Sequence, residues 1–164
     1  AEKRAAPNYD RPVDIAFVTA TLRRDLGTLI DPDRVALIGF SQGGYGVLTA
    51  GGARLDPEGP NMDQVAGGWL RKLARGAQTE PEGKVPGVKA IVAIAPAGGR
   101  PRSAWGGEGL GGLTAPLLLI QGDNDQTVDY RTGAFAVLRE GRAAAPRCRL
   151  VRRDAPRSRP RRGG

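Results

Sequence analysis

The chain has 164 residues, 40% of them hydrophobic and 26% charged, which gives room for one domain with a single buried core and none for a second catalytic domain. Its 25 Gly and 13 Pro imply many turns, and its single cysteine, Cys148, excludes an internal disulfide. The net charge of +8 suggests a nucleic-acid binder until its distribution is examined: residues 139–164 hold ten Arg against Glu140 and Asp154, leaving fifteen basic and fifteen acidic groups in residues 1–138.

No run approaches the roughly 18 consecutive apolar residues of a membrane span, so a soluble protein is expected. The sequence opens at Ala1 with neither a Met nor a basic, apolar leader. It therefore reads as a processed chain or a fragment, and its compartment, cytoplasmic or exported, stays open.

In chain order, Val13, Ile15, Phe17, Val18, Leu22 and Leu26 follow helical spacing behind Arg11-Pro12, which predicts a helix over about 12–27. After the turn Asp31-Pro32-Asp33, the run Val35 to Gly39 has the continuous apolar character of a strand buried in a parallel sheet. A small-residue helix over 43–53 follows, its Gly content requiring close packing. Then come a loop at 54–62, an amphipathic helix over 63–77 through Val65, Trp69, Leu70 and Leu73, and a second loop at 78–87.

Strands are expected at Val88–Ala95 and Pro116–Gln121, separated by a Gly-rich loop carrying Ser103 and Trp105. A helix at about 130–140 and a short strand at 148–151 complete the order. This alternation predicts an α/β fold, a mostly parallel sheet of about four strands with helices on both faces and one open edge. Residues 1–154 are expected to form the domain and residues 155–164 a basic, disordered tail.

The strongest chemical signal is Gly39-Phe40-Ser41-Gln42-Gly43, a G-x-S-x-G pattern between a strand and a helix. At such a turn the serine is strained and exposed, Gly39 and Gly43 give room, and the Gln42 N–H is placed to hold an oxyanion. The competing reading is a Gly-rich turn that holds a serine. The second signal is Gly122-Asp123-Asn124-Asp125, directly after a strand. Asp125, farther into the loop, is favoured as a carboxylate that orients a histidine, and Asp123 as a turn-former. Trp69 and Trp105 are candidates either for a pocket wall or for the core.

Together with Tyr9-Asp10-Arg11-Pro12-Val13-Asp14-Ile15, Ile30-Asp31-Pro32-Asp33-Arg34-Val35 and Ala93-Ile94-Ala95-Pro96-Ala97, these motifs make residues 8–155 resemble the bacterial predicted dienelactone hydrolases. Those are α/β-hydrolases related to the platelet-activating-factor acetylhydrolases. The resemblance implies an incomplete α/β-hydrolase fold and hydrolysis of a small-molecule carboxylic ester through an acyl-serine, with no metal or organic cofactor.

The chain departs from that pattern twice. The upstream strands, including the one whose loop supplies the second oxyanion N–H, are missing. The place of the catalytic histidine reads Asp154-Ala155-Pro156-Arg157-Ser158, with Arg157 where the His is expected, and the chain has no His at all. A guanidinium cannot accept the serine proton at neutral pH. The expectation is an impaired serine hydrolase. The alternative is a noncatalytic hydrolase-like domain that binds acidic partners through its arginines, without specific nucleic-acid recognition, since no aromatic residues are interleaved for stacking.

Overall fold

The computed structural model describes residues 2–59, 62, 63, 65–77, 82–99, 103–141 and 148–153. The elements run α1 (Glu2–Leu26), β1 (Val35–Phe40), α2 (Gln42–Ala50), a 3-10 segment (Ala66–Leu73), β2 (Val88–Ile94), α3 (Gly106–Leu110), β3 (Leu117–Gly122), α4 (Ala134–Gly141) and β4 (Cys148–Arg153). The four strands form one all-parallel sheet in the order β1-β2-β3-β4. The α/β fold expected from the sequence is therefore present, with every strand within two residues of its expected place.

The two faces of the sheet differ. Leu37, Ile91 and Leu117 lie in one register row and Gly39, Ala93 and Leu119 in the next. On this face Leu37, Ile91, Ala93, Leu117 and Leu119 are buried, beneath α2 over β1 and β2 and α4 over β3 and β4. The opposite face carries the rows Ile38–Val92–Leu118–Arg149 and Phe40–Ile94–Ile120–Val151. There Ile38 is 69% exposed, Phe40 68% and Val151 51%, and the central residues are only half-buried.

Helices on both faces were expected; among the described residues they cover one. The reason is topological. Strand order β1-β2-β3-β4 makes every connection step in the same direction, and parallel connections are right-handed, so successive helices fall on the same side. Covering the second face requires a reversal of strand order. Among the described residues β1 and β4 are the edge strands, each paired on one side, β1 with β2 and β4 with β3.

Two helices also depart from expectation. α1 begins ten residues before the expected start and contains Pro7 and Pro12, each of which removes a backbone donor. Its N-terminal half is held from outside: the Pro12 ring is fully buried and faces Gly83, and Ile15 reaches Gly46 of α2 so closely that a Cβ there would lie 3.1 Å from Ile15 Cδ1. The expected helix at 63–77 is instead the 3-10 segment, because Gly67 (φ 75) and Gly68 (φ 66) take left-handed conformations that break an α-helix. Its apolar side survives the change, with Val65, Leu70 and Leu73 all buried.

Candidate functional site

Parallel strands put the residues that follow them at one edge of the sheet, and open α/β sheets place their sites outside that edge. Phe40, Ile94 and Ile120 share a register row, so Ser41, Ala95 and the 122–125 loop emerge side by side. Three backbone hydrogen bonds stitch them together. Ser41 N–H donates to Ile94 O (2.9 Å), Ala97 N–H donates to Ser41 O (3.0 Å) and Ala95 N–H donates to Ile120 O (2.8 Å).

Ser41 joins β1 to α2 with φ 53 and ψ −118, and Ala95 follows β2 with φ 43; they are the two positive-φ residues other than glycine among those described. Such backbone costs on the order of 1–3 kcal/mol per residue and persists where surrounding bonds impose it. The turn at Ser41 is sharp because β1 passes directly into α2. A Cβ on Gly39 would overlap the backbone of Gly43, which explains Gly39. The expected role of Gly43 as a space-giver does not hold, since a Cβ there meets nothing within 4 Å. The tight approach belongs to Gly44, whose Cβ would lie 2.9 Å from Pro96 Cα.

Gln42 opens α2, so its N–H has no intrahelical acceptor and lies at the positive end of the helix. Its side chain accepts a hydrogen bond from Arg11 Nη2 (2.9 Å) and lines a cavity of about 260 Å³. Tyr45, Leu55, Met62 and Leu70 supply buried wall to this cavity, and Ala97 to Gly99 and Thr127-Val128 supply loop backbone. Burial pushes the Tyr45 hydroxyl well above its ordinary range, so it is a neutral phenol at any physiological pH.

Asp125 sits in the loop after β3, and that loop reaches the same cavity. Its Oδ1 accepts from the N–H groups of Thr127 (2.9 Å) and Val128 (3.0 Å), and its Oδ2 accepts from Gln121 Nε2 (3.2 Å). The carboxylate thus shapes the 125–128 turn, and its four lone-pair sites leave capacity for another donor. Asp123 lies in the same loop, half-buried. Asp154 and Arg157 lie outside the described residues; β4, which leads to them, ends beside Gly122 at the same sheet edge.

Neither tryptophan lines the cavity beside Gln42. Trp105 is fully buried behind it, its ring tilted by 32° against Tyr45 at 5.3 Å and donating from Nε1 to Thr49 Oγ1 (3.0 Å). Trp69 is 45% exposed between Tyr9 (5.4 Å) and Lys72, whose Nζ stands 4.2 Å from the ring. Residues that sequence reasoning missed include Asn8, which lines the cavity, and Arg11, which holds Gln42. Helical spacing in α1 marked neither, because both act across more than 30 residues of chain. Among the described residues no cluster of three or more His, Cys, Asp or Glu could hold a metal ion, and no helix is long and apolar enough to cross a membrane.

A serine on a strained turn, a helix-terminal N–H on the next residue and an uncharged cavity lined by that same residue, Gln42, can support attack on an acyl carbon. The arrangement defines an α/β protein whose four-stranded all-parallel sheet alternates with helices and presents these groups at its carboxyl edge. Compared with known proteins, the sequence matches no family model, no curated protein and no solved structure.

Proposed function

We propose that this chain is a domain of a serine hydrolase of the α/β-hydrolase type, acting on carboxylic esters through an acyl-serine. The observation that carries the reading is the strained backbone of Ser41 at the junction of β1 and α2, in the sequence Gly39-Phe40-Ser41-Gln42-Gly43. In this reading Ser41 Oγ attacks the ester carbonyl, the Gln42 N–H holds the oxyanion, and collapse of the tetrahedral intermediate expels the alcohol. Asp125 is the carboxylate that would orient a catalytic histidine, which this chain does not supply.

The chain supplies no histidine, so it offers no imidazole to receive the proton of Ser41. The test follows from that gap. Hydrolysis of p-nitrophenyl butyrate by the chain alone is expected to be barely above the buffer rate. Imidazole added to the medium, able to serve as the absent base, should raise it, and Ser41→Ala should remove that increment while leaving the background reaction of imidazole itself. An increment that survives Ser41→Ala would overturn the proposal, whereas a Ser41-dependent rate normal for esterases without imidazole would keep the hydrolase and overturn the missing base, since another group would then take the proton.

The complete lack of histidine favours one other reading, a noncatalytic domain that binds acidic partners through its C-terminal arginines. That reading expects polyanion binding that weakens steeply with salt and is lost on deletion of residues 155–164. Binding unaffected by the deletion would exclude it.

A further inference from the structure

The cavity beside Gln42 has a chemical direction. Its deep wall is made of Tyr45, Leu55, Met62 and Leu70, each no more than 5% exposed, whereas Gln42 and Thr127 at its mouth are exposed. No described lining residue is an Asp, Glu, Lys or Arg. A charged group carried into such a wall would give up its hydration without a partner, a far larger cost than an alkyl chain meets. Of the two parts of an ester, the alcohol must leave while the acyl group stays bonded to the serine. A cavity floored by buried side chains suits the part that stays.

Size sets the other limit. A volume of about 260 Å³ holds roughly nine water-sized groups at about 30 Å³ each. We propose that this cavity is an acyl pocket for an uncharged alkyl chain of up to about eight carbons, with the ester group at the mouth beside Gln42 and the chain end against Met62 and Leu70. The assignment of the chain to the acyl side rests on the serine-hydrolase reading; the ligand class rests on the cavity alone.

Met62 makes the test direct, because it is the only methionine in the chain and lines the cavity. With the methionine methyl labelled with carbon-13, a single resonance reports occupancy. Methyl ketones stand in for the ester as probes that cannot be hydrolysed. Titration with 2-octanone should move the resonance saturably, 2-butanone should bind at least tenfold more weakly, and octanoate, of equal length but charged, at least tenfold more weakly than 2-octanone. The Ser41→Ala chain should give the same titrations.

Equal binding of octanoate and 2-octanone would overturn the proposal, as would a resonance that no ketone moves. These outcomes are separate from those of the imidazole assay. Rescued hydrolysis with no ketone binding removes the pocket and keeps the hydrolase. Ketone binding without Ser41-dependent hydrolysis keeps the ligand class and removes the acyl-serine.

Discussion

The two faces of the sheet carry similar side chains and meet opposite fates. Leu37, Ile91, Leu117 and Leu119 on one face are buried under helices; Ile38, Phe40 and Val151 on the other are more than half exposed. The central strands, such as Leu117-Leu118-Leu119-Ile120 of β3, are apolar without alternation, the pattern of strands covered on both sides. Side-chain composition thus calls for two covers, and chain connectivity provides one. The open face, four strands wide and six residues long, spans on the order of 400 Å², apolar along the β1, β2 and β3 rows and broken by exposed Arg149 on β4.

Substitutions on the two faces turn this contrast into numbers. The largest effect is expected at Leu119, fully buried on the covered face: Leu119→Ala should cost about 2–5 kcal/mol, read from the urea midpoint at constant slope. Gly39→Ala comes next. Its Cβ would strike the Gly43 backbone at the seam between β1 and α2, and a loss of about 1–3 kcal/mol is expected. Gly43→Ala, in the same motif, meets open space inside a helix and should instead gain up to about 1 kcal/mol. If both glycine variants behave alike, the close packing assigned to this turn is wrong.

On the open face Ile38→Ser and Phe40→Ser should each stay within about 0.5 kcal/mol of the parent, because these side chains are already in water. The pair should also lower the fluorescence of a bound hydrophobic dye such as ANS. A cost of several kcal/mol at Ile38 would show that this face is covered in solution and would end the contrast.

How much of this was legible in the sequence depended on distance along the chain. The first three strands could be placed because each is a short, largely apolar run closed by Gly or Pro, a signal contained within a few residues. Ser41 was legible for the same reason, since motif, strand and helix are contiguous. The extent of α1 was not, because Pro12 reads as the start of a helix unless its burial near Gly83, some 70 residues on, is known. The 3-10 segment kept the apolar spacing of a helix, so periodicity could not reveal its break at Gly67 and Gly68. The open face was hidden because it follows from strand order, which no local pattern encodes.

The smallest expected effect concerns the covered side again, at the N-terminal half of α1. There the Tyr9 hydroxyl donates to Glu82, and Lys72 pairs with the same carboxylate (3.3 Å). Partial burial, with the Glu82 bond and charge adding to it, pushes the Tyr9 pKa from 10.0 up to about 12, while the Tyr9 bond, then Lys72, holds Glu82 below its ordinary 4.5. The two directions set the window. The contribution of Tyr9 is complete below about pH 10 and lost as pH rises through about 12. That of Glu82 is present above about pH 4.5 and lost as pH falls through its depressed value. The difference in urea midpoint between the parent and Tyr9→Phe should therefore be flat between these limits and shrink beyond both. In an ultraviolet titration of the folded chain Tyr9 should ionise near pH 12, before Tyr45, which burial pushes higher still. A Tyr9 midpoint near 10 would mean that α1 is not anchored at Glu82, and the covered side would then be loose at the end where the helix is packed.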